Sequence, residues 1–162
     1  MVLVDYIFGG GGFLNSRLAR RIRQKEGLSY DVGSSLSVEA MDKSGSLSVS
    51  ASFAPQNASK VETALREVLA STIKDGFTKE EIEAAKTGIL QEYRVSLSND
   101  TSLARMLLNY LFLNRTMKWE DEFEKRIAAL TPEQVTAAMR KHVDPSKITI
   151  VKAGDFAKAK GN

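Results

Sequence analysis

The most constraining feature of this chain is a pair of segments with two-residue alternation, separated by a short polar turn. In the second, Leu47, Val49, Ala51 and Phe53 alternate with Ser46, Ser48, Ser50 and Ser52. In the first, Tyr30, Val32, Ser34, Leu36 and Val38 share one face. Successive side chains of a strand point to opposite faces, so this pattern predicts two strands with one covered face each. The intervening Ala40–Gly45, with Asp42, Lys43, Ser44 and Gly45, supplies turn chemistry and predicts a hairpin.

Around that hairpin the period changes to that of helices. After Gly9-Gly10-Gly11-Gly12, either Asn15 or Ser16 can cap a short helix with Leu14, Leu18 and Ile22 on one face, stopping at Gly27. A helix is predicted from about Asn57 to Lys74, with Val61, Leu65, Val68, Leu69 and Ile73 inward. Thr78 with Glu81 forms a capping-box signature that opens a second helix carrying Ile82, Ala85, Ile89 and Tyr93. Ser98-Asn99-Asp100 breaks the pattern, which Leu103, Met106, Leu107, Tyr110 and Leu111 resume. Trp119, Phe123 and Ile127 mark a shorter helix, and Thr131-Pro132-Glu133-Gln134 starts another. The β-branched run Ile148-Thr149-Ile150-Val151 predicts a closing buried strand over Lys147–Lys152. No repeat or linker divides the 162 residues, so the expectation is one α+β domain, an antiparallel sheet packed against about five helices. Three strands are few for that much amphipathic helix. The opening Val2–Phe8 run has no cap and reads as the end of an element, so the expected sheet lacks its first strands and exposes an edge.

Composition removes several function classes. The chain has no cysteine and a single histidine, His142, whereas a catalytic zinc site uses about three protein ligands and a hydrolytic triad needs a placed base. His142 follows Arg140 and Lys141 at a predicted helix end, where positive side chains suit the dipole. Neither H-E-x-x-H nor H-x-x-E-H occurs. Net charge is only +3, and the basic run Arg17 to Lys25 has no aromatic platform, so a solvated helix face is expected and no nucleic-acid partner. No stretch approaches the roughly 20 apolar residues of a membrane span.

Two features carry candidate chemistry. Consecutive glycine amides can approach an anion or a peptide backbone closely; the same run also suits a flexible connector. Arg23 lies near the end of the basic helix, and Tyr30 follows across Gly27-Leu28 at the start of the first strand. One reading brings guanidinium and phenol to a common sheet edge, where they offer donors to a peptide carbonyl or a developing oxyanion. The other sends Arg23 to solvent and Tyr30 to the core. Spacing alone does not choose.

The segments Gly9-Gly10-Gly11-Gly12-Phe13-Leu14-Asn15-Ser16-Arg17-Leu18 and Ile22-Arg23-Gln24-Lys25-Glu26-Gly27-Leu28-Ser29-Tyr30-Asp31-Val32-Gly33 resemble the C-terminal half-domain of M16 (pitrilysin/insulinase) metallopeptidases, in the processing-peptidase-like branch. Asp75-Gly76-Phe77-Thr78-Lys79-Glu80-Glu81-Ile82 and Pro145-Ser146-Lys147-Ile148-Thr149-Ile150-Val151 resemble the same half. The resemblance implies two homologous α+β halves enclosing a chamber for unfolded peptides. It implies zinc held by the other half through H-x-x-E-H, so this chain is expected to hold none and to be inactive alone. It implies a substrate-binding role for Arg23 and Tyr30, and a weaker one for Gly10, Gly11 and Gly12. The partners it implies are a zinc-bearing half in cis or in trans and a peptide substrate, with self-association through an exposed sheet edge as a further expectation. An M16-like scaffold without turnover is the alternative. A bacterial extracytoplasmic location is the expected compartment.

Overall fold

A computed structural model describes residues 1–11 and 15–156 of the chain. It opens with α1, Val2–Asp5, which widens into a π-helical turn over Tyr6–Gly10 and buries Leu3, Val4, Ile7 and Phe8. A second π-wound helix covers Ala19–Lys25 and buries Leu18, Ala19 and Ile22. Ser16 Oγ accepts from the Ala19 amide at 3.2 Å, whereas Leu14, the other expected face residue, lies outside the described residues. Gly27 stops this helix at φ +61°, a conformation that suits glycine, and the Leu28 amide returns to the Ile22 carbonyl at 2.9 Å.

The hairpin follows as β1, Asp31–Val38, and β2, Gly45–Ser52, paired antiparallel. The register sets Val32 opposite Ala51, Ser34 opposite Val49 and Leu36 opposite Leu47, and the face read from the alternation is covered over these residues but not at its ends, where Tyr30 and Val38 are exposed. Five α-helices follow among the described residues: α2 (Ala58–Asp75), α3 (Lys79–Leu97), α4 (Asp100–Phe112), α5 (Lys118–Ala129) and α6 (Pro132–His142). Both expected capping boxes form, Thr78 with Glu81 and Thr131 with Gln134, and Asn99 caps α4 through its side chain. Val61, Val68 and Leu69 of α2, Ile82, Ala85 and Ile89 of α3, and Val135 and Met139 of α6 meet the N-terminal helices and Val32 in one core. The architecture is α+β, with helices gathered on one hairpin.

Two expectations fail. Ile148–Val151 forms no strand; Ile150 and Val151 are exposed, and the segment lies near α2, where Lys152 pairs with Glu62 at 2.5 Å. A β-branched run becomes a strand only where a neighbouring strand offers hydrogen bonds, and here the sheet consists of β1 and β2. On α4, Tyr110 alone is fully buried, while Leu107 and Leu111 of the expected inner face are exposed. The periodicity described the helix correctly, but this chain covers only part of its apolar stripe.

Candidate functional site

Local structure explains how Arg23 and Tyr30 meet. The Gly27 reversal turns the chain from the π-wound helix toward the hairpin, and Leu28 then drops into the core. Buried Ser29 fixes the entry to β1: its hydroxyl lies 2.6 Å from the Ser52 carbonyl at the end of β2 and 2.9 Å from the Asp31 carbonyl. Tyr30, directly before β1, is therefore left at the sheet's end with its side chain 82% exposed. Arg23 is half-buried, and its guanidinium carbon lies 5.7 Å from the Tyr30 ring centroid, within cation–π range. Of the two arrangements open at the sequence level, the pair converges and presents the phenol to solvent.

The rest of the basic run has other work. Arg21 pairs with Glu26 and, at 2.6 Å, with Glu67 of α2, and Arg20 reaches Glu81 at 3.4 Å. Arg17 is the most engaged. Its Nε and Nη2 donate to the two Glu81 oxygens at 2.9 and 2.6 Å, Nη1 donates to Thr72 Oγ1 at 3.1 Å, and Nη2 also donates to the Gly76 carbonyl at 2.7 Å. Its guanidinium carbon lies 4.9 Å from the Phe77 ring centroid. Burial opposes ionisation of Glu81, but the Arg17 bonds, the Thr78 amide and the charges of Arg17 and Arg20 outweigh it and hold the carboxyl below its ordinary range. Sequence reasoning found Glu81 as a capping-box residue and missed Arg17 as its partner, because 64 residues separate them.

The glycines play a packing role that the sequence did not announce. Gly9 passes so near β1 that an added Cβ would stand 2.5 Å from the Ser34 backbone nitrogen. A Cβ on Gly10 would meet the Asp5 carboxylate, and one on Gly11 the Tyr6 ring. Gly12 lies outside the described residues. Asp5, in turn, accepts the Ser34 hydroxyl at 2.6 Å, so the first half of the glycine run is clamped onto the hairpin.

Among the described residues, no group of three or more His, Asp or Glu side chains is placed to hold a metal ion. No helix among them is long and apolar enough to cross a membrane.

The described residues thus form a hairpin wrapped by helices, with an arginine–tyrosine pair at the hairpin's end. The family model for the peptidase M16 inactive domain matches residues 1–89, and the chain belongs to that family. Among curated proteins it is 37% identical over 134 residues to an uncharacterized zinc protease of Mycobacterium leprae, covering 78% of this chain and 28% of that protein. A Helicobacter pylori protein described as a non-peptidase homolog is 28% identical over 144 residues, covering 86% of this chain and 32% of its own length. The chain thus spans about a third of the length of the curated relatives it matches. The crystal structure of a peptidase M16 inactive domain from Pseudomonas fluorescens superposes with a TM-score of 0.77 at 27% identity, covering 90% of this chain and 34% of that one.

Proposed function

We propose that this chain is the substrate-facing half of an M16-type zinc endopeptidase acting on unfolded peptides, inert without a zinc-bearing half supplied in cis or in trans. The observation that carries this reading is the Arg23–Tyr30 pair, a guanidinium 5.7 Å from the ring of a phenol that is itself exposed. Held by the other half, zinc would supply an activated water. This chain supplies the Tyr30 hydroxyl, which donates to the scissile carbonyl or to the oxyanion that develops there. A cation beside the ring holds the phenol in place. Arg23 is thus a positioning residue that also faces the peptide backbone.

The test is Tyr30→Phe in the assembled enzyme. It removes one donor and should lower kcat/KM by about one to three orders of magnitude, roughly 1.4 to 4 kcal/mol. Unchanged kcat/KM excludes Tyr30 from the mechanism. Arg23→Ala should lower kcat/KM less than Tyr30→Phe does.

One observation favours a second reading, a scaffold or assembly subunit without turnover: the Helicobacter pylori relative is described as a non-peptidase homolog. An H-x-x-E-H segment in the same polypeptide, or in an adjacent co-expressed one, decides for the peptidase, and its absence from both decides for the scaffold. In either role, among the described residues β1 and β2 each keep one edge without a strand partner, and this edge is the proposed site of pairing with another copy. A compact monomer in solution scattering, with no dimer at high concentration, refutes that pairing.

A further inference from the structure

Far from the Arg23–Tyr30 pair in sequence, α3, α4 and α5 enclose a groove of about 960 Å³. Its walls are aromatic and soft: Tyr93, Met106, Tyr110 and Trp119 line it, with Leu108 and Phe112 exposed along the rim. Trp119 stacks on Phe123 at 5.4 Å between centroids and tilts against Tyr110 at 6.1 Å, so the wall is a continuous aromatic block. Glu120 also lines this groove. It is only 5% exposed, and its Oε2 finds no hydrogen-bond donor among the described residues. A carboxylate oxygen withdrawn from water without a donor is costly, and natural structures rarely leave one so unless something else occupies the site. The Tyr93 hydroxyl is pushed well above its ordinary range, first by burial, then by its hydrogen bond to the Glu120 carboxylate and by the charges of Glu120, Glu124 and Asp121, so the local field favours a cation.

We propose that this groove binds an alkylammonium group, with the ammonium donating to Glu120 Oε2 and the alkyl stem lying between Trp119, Tyr110 and Met106. An ammonium supplies the missing donors, a stem of a few methylenes gains from the apolar walls, and aromatic faces attract the cation. Arg105 and Arg115 also line the groove and oppose a cation at longer range. Arg115 is held with its guanidinium carbon 4.8 Å from the Trp119 ring centroid. That leaves the carboxylate to a compact ammonium better than to a second broad guanidinium. The same chemistry is presented by a lysyl side chain of a peptide and by a free aliphatic amine. This inference is independent of the peptidase reading.

Trp119 is the chain's single tryptophan, so its fluorescence reports the groove directly. The full chain is titrated with n-hexylammonium, with N-acetyl-lysine methylamide, and with 1-hexanol as the uncharged control. Saturable change at Trp119 is expected for both ammonium probes, at least about tenfold tighter than for hexanol. The tighter of the two ammonium probes identifies the source, free amine or lysyl side chain. Glu120→Gln should bring hexylammonium down to the hexanol level. Leu108→Ser, at an exposed rim position that folding tolerates, should weaken hexylammonium severalfold and keep its advantage over hexanol. Hexanol binding as tightly as hexylammonium in the unaltered chain overturns the proposal. So does the absence of any saturable change, or a folded Glu120→Gln variant with undiminished amine affinity.

Discussion

Arg17→Met keeps the length and most of the apolar stem of the side chain while deleting the guanidinium that ties the N-terminal helices to the α2–α3 junction. Four polar contacts go at once: two to Glu81, one to Thr72 Oγ1 and one to the Gly76 carbonyl. Thr72 still donates to the Val68 carbonyl at 2.7 Å, and Glu81 keeps the Thr78 amide at 3.0 Å and Arg20 at 3.4 Å. The carboxylate is therefore stripped of its main partner without being wholly abandoned. Breaking a fully buried pair costs about 3–5 kcal/mol, and an exposed pair is worth about 0.2–1 kcal/mol. With side chains 17% and 18% exposed, the Arg17–Glu81 pair lies nearer the buried limit, and the residual partners reduce the loss. We expect about 2–3 kcal/mol, which for a domain of this size lowers Tm by about 5–10 °C.

The pH dependence supplies a sharper check. Glu81 has its folded-state pKa below the ordinary carboxylate value, so its pairing stabilises the fold above the unfolded-state pKa. That contribution disappears as pH falls through the depressed folded value. Urea unfolding of the parent and of Arg17→Met should therefore differ fully near neutral pH and converge on strong acidification. Superimposable curves at neutral pH refute the role assigned to Arg17. A gap that persists unchanged into acid shows that the lost stability belongs to packing against Phe77 and not to the ion pair.

Three further outcomes are expected. Gly76→Ala places a Cβ at φ +74° and 2.6 Å from Thr136 Oγ1, so it should cost about 2–3 kcal/mol in urea unfolding, and Thr136→Ala in the same chain should recover only the steric part. Gly9→Ala drives a Cβ into the Ser34 backbone, and thermal melts should show a loss of about 1–3 kcal/mol with slower amide exchange lost first in β1. Thr78→Ala and Thr131→Ala each remove one half of a capping box, and circular-dichroism melts should register about 1 kcal/mol for each.

Local signals were the legible ones. The serine–apolar alternation of β2 marked the hairpin and its covered face, and Thr78 and Thr131 marked helix starts that the structure keeps. Arg23 and Tyr30 were visible as candidates because they stand seven positions apart across a single glycine; their contact depended on Ser29 bonding to Ser52, a long-range detail with no local signature. Long-range polar chemistry stayed hidden for the same reason. Arg17 reads as one more residue of a basic helix until Glu81 is folded against it, and Glu120 reads as one more acid in the Glu120–Glu124 stretch until α3 and α4 bury it.

The closing Ile148–Val151 run and the exposed stripe of α4 teach a common lesson in opposite directions. Strand formation needs a partner's amides and carbonyls, so four β-branched residues form no strand when the only sheet among the described residues is a two-stranded hairpin. A helix satisfies its own backbone, so α4 forms over Asp100–Phe112 even with Leu107, Leu108, Leu111 and Phe112 left in solvent. Helical elements thus report sequence periodicity whatever surrounds them, whereas strand elements report whether neighbours are present. A separately added strand that pairs with β1 or β2 should protect hairpin amides from exchange, and it should leave exchange in α4 unchanged. Equal protection of both would show that the hairpin and the α4 stripe answer to the same partner, contrary to this distinction.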